Sequence, residues 1–328
     1  MKEIFPEAEY QLRLLPPQHP AWHAEEPVDP ELVRRLEGID VGCRTSVIFC
    51  PQDLSCYWEL ARPGRARKLS KDVQAQVDAA RSVGINVLAY ATNRELKYKF
   101  ELFAKNRPAA APDDFDRGKL YVARLQHPGG CNAAPGALVN LMQVAGDKLK
   151  IRVSTDAREI GISDPQLFHY HLVFMQGRHN FRLTPPERKQ LKAYLERGGM
   201  LFADSICSSK DFSEAFRREM KTLLPEQPLE RIAVNHPLFG TEFGGADLSK
   251  VSRRQLQASG AKGPVTTQVR QGEPYLEGIK SGDRYAVIFS PYDVSCALEN
   301  HESLECEGYI RADAAKIGLN VLVYSLHQ

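Results

Sequence analysis

The chain repeats itself, and no other feature constrains its fold as strongly. Residues 36–59 (LEGIDVGCRTSVIFCPQDLSCYWE) lie over residues 276–299 (LEGIKSGDRYAVIFSPYDVSCALE) without a gap, and 14 of the 24 positions are identical. Gly84, Asn86, Val87, Leu88 and Tyr90 return as Gly318, Asn320, Val321, Leu322 and Tyr324, at a spacing shortened by six residues. His19-Pro20 returns as His236-Pro237, and Met1-Lys2 with Pro6-Glu7 returns as Met220-Lys221 with Pro225-Glu226. A period of roughly 220 residues is far longer than the roughly 20–50 of a solenoid, so it reads as tandem duplication of a domain.

The second copy has about a hundred residues before Met220 that the first lacks, which makes copy one half a domain. The expected organisation is a C-terminal half repeat over 1–104, a Pro/Ala/Asp-rich linker over 105–118 and a complete domain over 119–328. Either the protein continues upstream of Met1, or the first copy is a fragment that leans on its neighbour. The former is expected, because half of an α/β sheet exposes an unpaired strand edge.

In the complete copy, apolar strand-length runs alternate with helical patterns, the signature of a parallel sheet covered on both faces. Strands are expected at 120–125, 149–153, 171–175, 200–203, 285–289 and 320–324. The best-signalled helix is 185–197: Thr184 precedes Pro185, Glu187 closes a capping box, Leu191, Tyr194 and Leu195 share a face, and Gly198-Gly199 stops it. Further helices are expected from 135 to 144 and from 212 to 223, with 309–316 leading into the last strand; 92–103 carries both helical and strand signals.

The 328 residues suffice for one or two cores without staples, and 43 Lys+Arg against 41 Asp+Glu leave a net charge of +2. No overall field recruits nucleic acid, and the basic run Arg62, Arg65, Arg67, Lys68, Lys71 carries no interleaved aromatics. No apolar run approaches the roughly 18 residues of a membrane helix. Seven cysteines, an odd number, suit a reduced protein with one or two functional thiols. Cys296 and Cys306 would pair only in an exported protein. No glycine-rich phosphate loop and no close ligand pair such as C-x-x-C occurs, so neither a cofactor nor a metal is expected.

Ligands of open parallel sheets bind beyond the carboxyl ends of the strands. There the chain places Gln126, His127 and Cys131; Gly177, Arg178, His179 and Asn180; Asp204, Ser205 and Cys207; and Asp293, Ser295, Cys296 and Glu299. The two copies share Asp-x-Ser-Cys-x-x-Glu, at Asp53–Glu59 and Asp293–Glu299, in which Asp and Ser either cap a helix or bind a ligand. Cys207, between a strand and a helix whose amino end lowers a thiol pKa, is the candidate nucleophile, with His179 or His127 as its base. No glycine flanks it, unlike a G-x-S-x-G elbow. Arg178 is the cation best placed to receive a carboxylate or phosphate.

Met175–His179 (MQGRH), Tyr194–Asp204 (YLERGGMLFAD) and Ser290–Cys296 (SPYDVSC), with residues 120–135 and His236-Pro237, resemble the bacterial domain of unknown function family 4159. The resemblance covers 119–328 and, through the repeat, the carboxyl half of a second copy in 1–104. It implies a flavodoxin-like three-layer sandwich of the class I glutamine amidotransferase-like superfamily, a fold without an assigned reaction. Cys207 falls where that superfamily's catalytic enzymes carry their cysteine. The His-x-Glu pair of an amidotransferase triad is absent from 119–328, and His23-Ala24-Glu25 lies in the half copy. Relatives often occur in larger exported or membrane-associated proteins, so a cytoplasmic location is expected if Met1 is the native start and an envelope location if a longer exported chain precedes it.

These readings make the chain a non-catalytic ligand-binding or assembly domain, in which His127, Arg178, His179, Asn180, Asp204, Asp293 and Glu299 hold a small polar or anionic molecule. The competing readings are a hydrolase of a small polar or carbohydrate-related substrate using Cys207 and His179, and a purely structural domain of a larger envelope assembly, with an upstream domain or self-association through the half repeat as the partner.

Overall fold

The computed structural model describes residues 11–41, 44–60, 69–92, 115, 118–156, 158–257, 266–299 and 306–327. The segments expected as linker (105–118, except 115 and 118), as an ambiguous element (93–103) and as most of the basic run (62–68) lie outside the described residues. The chain divides into two compact units, Met1–Glu101 with Leu256–Gln268 and Ser303–Glu305, and Leu102–Gln255 with Val269–Glu302 and Cys306–Gln328.

The first unit is a small sheet backed by a helix. Strands β1 (Arg13–Leu14), β2 (Glu37–Val41) and β3 (Arg44–Phe49) run in that order, followed by α1 (Leu54–Leu60) and α2 (Lys71–Thr92). Leu15, Trp22, Val33, Leu36, Ala79 and Val83 form its core. Gly38 lets β2 lie flat, since a Cβ there would meet Thr45 at 2.5 Å and Leu15 at 2.8 Å.

The second unit contains β4 (Ala123–Gln126), α3 (Ala137–Leu149), β5 (Arg158–Gly161), β6 (Leu172–Gly177), α4 (Pro185–Glu196), β7 (Met200–Ser205), α5 (Lys210–Leu223) and β8 (Glu230–Arg231). The chain continues with β9 (Val251–Gln257), β10 (Thr266–Gly272), β11 (Glu277–Ser281), β12 (Arg284–Ser290), α6 (Ser295–Glu299), β13 (Gly308–Tyr309) and α7 (Arg311–Leu326), of which Leu256–Gln268 falls in the first unit. The main sheet has seven strands in the order β5-β4-β6-β7-β12-β11-β8, and a further sheet runs β10-β9-β13. From β5 to β12 the neighbours are parallel; β11 and β8 add antiparallel strands at one side.

Strand parity sorts the side chains into layers. Val173, Met175, Leu201, Ala203, Val287 and Phe289 share a core with Leu191 and Tyr194 of α4 and with Phe212 and Phe216 of α5. The alternate residues Phe174, Phe202 and Ile288 point to the opposite face, where α3, α6 and α7 pack on one another. The result is an α/β three-layer arrangement around a mixed sheet. At α4 the Thr184 hydroxyl accepts the Glu187 N–H and the Glu187 carboxylate accepts the Thr184 N–H, as the capping-box pattern predicts.

Two expected strands, 320–324 and 149–153, are not strands. Residues 320–324 lie inside α7, and the matching run 84–91 lies inside α2. An apolar run of this length does not distinguish a buried strand from a helix buried all round. Ile317, Leu319, Val321, Leu322, Val323 and Tyr324 are all buried, while Gly318 lets α7 approach α3: a Cβ there would meet Leu141 at 2.5 Å. Residues 149–153 end α3 at left-handed Lys150 and continue as a loop with one bridge, Val153 to Leu120. The strand that fills this place is β5, an edge strand whose Arg158 and Glu159 disguise it.

The two units repeat their internal geometry. β2 and β3 pair as Glu37↔Phe49 through Val41↔Arg44 with a shift after Ile39; β11 and β12 pair as Glu277↔Phe289 through Ser281↔Arg284 with a shift after Ile279. Asn86 holds the Glu25 and Glu26 N–H groups at 2.7 and 2.9 Å, and Asn320 holds the Ala246 N–H at 2.7 Å. The Tyr90 hydroxyl accepts the Thr45 N–H at 2.8 Å, and the Tyr324 hydroxyl accepts the Tyr285 N–H at 2.9 Å. His19 and His236 each cap a 3-10 turn through Nδ1 at 3.1 Å.

Candidate functional site

The polar residues expected at the strand ends of the complete unit do gather there, but several of them are spent on backbone groups. Gln176, Asp204 and Ser290 form a row across β6, β7 and β12, all fully buried on the face under α3 and α6. Each answers a nearby loop or helix end. The Gln176 amide donates to the Cys131 and Ala134 carbonyls at 2.9 and 2.7 Å, fixing the loop before α3. Asp204 accepts the Val294 and Ser295 N–H groups, both at 2.9 Å, so it serves the start of α6. Burial pushes its pKa up to about 7 against these hydrogen bonds.

Asp293 caps α6 as well. Its Oδ1 accepts the N–H groups of Cys207 at 2.9 Å and Cys296 at 3.2 Å, and its Oδ2 accepts that of Ala297 at 3.1 Å. Glu299 accepts the Gly136 N–H ahead of α3. His127 is buried, with Nδ1 accepting the Gly129 N–H at 3.0 Å and Nε2 donating to the Gln176 carbonyl at 2.9 Å. Burial lowers its pKa to about 4, which keeps the ring neutral near pH 7.

Arg178, His179 and Asn180 remain accessible. The Arg178 and His179 N–H groups both donate to the Gly129 carbonyl, at 2.8 and 2.9 Å, which joins the loop after β6 to the loop after β4. Asn180 accepts from Arg218 at 3.1 Å. Gly177 is required here, because a Cβ would meet Phe212 at 2.3 Å and the Gly129 carbonyl at 2.7 Å.

Cys207 sits in a 3-10 turn between β7 and α5 with left-handed backbone (φ 51°, ψ 32°), and Ser208 follows at φ 52°. The sharp turn therefore forms without glycine. Hydroxyls pin it: Ser208 donates to the Glu307 carbonyl at 2.8 Å, Ser209 to the Arg178 carbonyl at 2.5 Å, and Ser205 to the Ser209 carbonyl at 2.9 Å. The half-buried Cys207 sulfur lies 3.8 Å from that of buried Cys296. One ligand atom from each of Cys207, Asp293, Cys296 and Cys306 falls within 4.8 Å of all the others. None of the described cysteines is in a disulfide. In the sequence Asp293 and Cys296 share one motif and Cys306 follows ten residues later; the return of β12 beside β7 is what brings Cys207 to them.

The first unit carries a separate concavity of about 740 Å³, lined by Leu36, Ile48, Leu54, Trp58, Val87 and Leu88 among others. Phe49, Trp58 and Leu88 are 47%, 45% and 66% exposed, whereas their counterparts Phe289, Leu298 and Leu322 are 0%, 2% and 0% exposed. Among the described residues, β3 has no strand on its outer edge, the edge on which β12 pairs with β7.

Fold and strand-end site together define an α/β protein with a parallel-centred sheet and a thiol-rich carboxyl edge. The chain belongs to the family described as Domain of unknown function (DUF4159), whose model matches residues 121–326. No curated protein matches. Among solved structures, the chain is similar to alpha-L-fucosidase isoenzyme 2 from Paenibacillus thiaminolyticus at 11% identity and a TM-score of 0.27, over 79% of this chain and 37% of that one. Among the described residues no helix is long and apolar enough to cross a membrane.

Proposed function

We propose that the chain is a non-catalytic assembly protein whose first unit receives, on the open edge of β3, an α/β half-domain of the kind residues 120–223 supply in the complete unit. The observation that carries this is one hairpin-and-helix motif in two states of burial. The shared pairing register, Asn and Tyr contacts support descent of the two units from one duplicated motif. In the complete unit that half contributes β7 along β12, Leu141 against Gly318, and Phe216 stacked 4.5 Å from Phe289. The partner implied for the first unit thus offers a parallel strand flanked by helices. The parallel strands, numbered along the chain, stand in the order 2-1-3-4-5, which supports a flavodoxin-like and amidotransferase-like reading of the complete unit.

A photo-crosslinking amino acid at Leu88, in the full chain expressed in its own organism, tests the assembly. The expected product joins residue 88 to a peptide from a strand–turn–helix segment outside residues 1–328, and Trp58→Glu abolishes it without moving the melting temperature. A product made only with another copy of this chain, equal yield from Trp58→Glu, or no product above the dark control overturns the reading.

A second reading, a hydrolase acting through Cys207 with His179 as base, draws on the left-handed Cys207 turn and its partial exposure. Iodoacetamide labelling across pH separates the two. A catalytic Cys207 reacts with a midpoint well below the ordinary thiol value of about 8.5, and a structural one does not. A small anionic ligand would meet the half-buried Arg178 and His179 and exposed Asn180, and at a hundred times its Kd it would add about 2.7 kcal/mol in a thermal-shift panel.

A further inference from the structure

We infer that Cys207, Asp293, Cys296 and Cys306 form a metal site of the complete unit, taking one zinc ion or a comparable thiophilic divalent ion. The four residues come from three separate places: the turn after β7, the segment opening α6, and the approach to β13. Nothing in their sequence spacing announces them, yet their ligand atoms all lie within 4.8 Å of one another. Three sulfurs and one carboxylate oxygen are a donor set that zinc accepts in tetrahedral geometry. With zinc–sulfur bonds of about 2.3 Å, two sulfurs of a tetrahedron stand about 3.8 Å apart. The Cys207 and Cys296 sulfurs stand at 3.8 Å, well beyond a disulfide bond.

The surroundings hold the ligands in place from outside, as the second shell of a metal site does. Asp293 Oδ1 receives the N–H groups of both Cys207 and Cys296, so one carboxylate sets the positions of two thiols. The Ser208 hydroxyl ties the Cys207 turn to the Glu307 carbonyl, one residue past Cys306. Arg254 Nε donates to the Cys306 carbonyl at 2.8 Å, and the Tyr309 N–H donates to the Asp293 carbonyl at 2.9 Å. Gly308 permits this close approach, since at φ 159° a Cβ would meet that of Asp293 at 2.4 Å. Asp293, Cys296 and Cys306 are buried and Cys207 is half-buried, which leaves a path for an ion from the Cys207 side. On binding, three thiols release their protons to solvent, and the ion accepts three thiolates and one carboxylate oxygen.

The first unit sharpens the prediction. It keeps Asp53 and Cys56, both exposed, but has no cysteine over 57–104 to match Cys306. One ion per chain is therefore expected, not two. The purified full chain, reduced and reconstituted with zinc or cobalt and then dialysed, is expected to hold one equivalent by elemental analysis. Cobalt should show thiolate charge-transfer absorption and tetrahedral d–d bands. Cys207→Ser, Cys296→Ser and Cys306→Ser each should weaken binding at least tenfold, whereas Cys56→Ser should leave it unchanged. The unmodified chain gives a check independent of folding in the variants: a chelator should raise the iodoacetamide labelling of Cys207 and Cys296. Binding no stronger than in the triple serine variant, cobalt spectra without thiolate bands, or a Cys207–Cys296 disulfide in metal-free protein would overturn the inference.

Discussion

The two Asp-x-Ser-Cys segments show what a neighbour does to a motif. Around Asp293 the segment is sealed: the carboxylate caps α6 and receives the Cys207 N–H, and Cys296 is fully buried. Around Asp53 it is open. That carboxylate accepts the Ser55 hydroxyl at 2.5 Å and the Cys56 thiol at 3.0 Å, which hold its pKa down at about 2 and push the Cys56 thiol up. Backbone pairing is the same in both units. The difference is the absence beside β3, among the described residues, of any counterpart to β7 and its helices. Local sequence is thus enough to build the hairpin and its helix, while the fate of the motif depends on what covers it.

The contrast predicts unequal responses to equal substitutions. The largest effect should come from Leu322→Ala, which empties a fully buried site in α7 and should cost about 2–5 kcal/mol by urea denaturation. Its counterpart Leu88→Ala, at a largely exposed position, should stay within about 0.5 kcal/mol. Comparable losses at the two positions would mean that the first unit's face is already covered.

Acid should come next, and it should act on the complete unit. The folded pKa of His127 lies near 4, below the ordinary 6.5, so between those values the unfolded chain binds the extra proton. The stability from this group is fully present above pH 6.5 and is lost as pH falls toward 4, about 3 kcal/mol at the limit. A His127→Gln variant should lower stability near pH 7 and flatten the slope between pH 4 and 6.5; an unchanged slope would assign acid sensitivity elsewhere.

Asp293→Ala removes the acceptor of the Cys207, Cys296 and Ala297 N–H groups at the start of α6, and should cost about 2–4 kcal/mol if they are left without partners. Asp53→Ala, in the first unit, should leave the unfolding midpoint in place. Equal shifts would show that the segment supports both units in the same way.

What the sequence disclosed follows the same division between local and distant causes. The capping box at Thr184 and the strands β6, β7 and β12 were readable, because caps and buried parallel runs are written in contiguous residues. The run 320–324 misled, since a helix buried on all sides loses the 3.6-residue polarity that marks it. Edge strand β5 was hidden by Arg158 and Glu159. Asp293 and Glu299 stood out as shared residues, but their work on backbone N–H groups depends on which helix end lies opposite. The approach of Cys207 to Cys296 spans 89 residues and depends on β12 pairing with β7, which no motif records.

Hydrogen exchange followed by mass spectrometry on the intact chain tests the central contrast most directly. Peptides spanning 284–299 should exchange only with global unfolding, whereas those spanning 44–60 should exchange orders of magnitude faster and slow down when a partner binds. Equal protection of the two segments in the isolated chain would contradict the account, because the β3 edge would then already be covered.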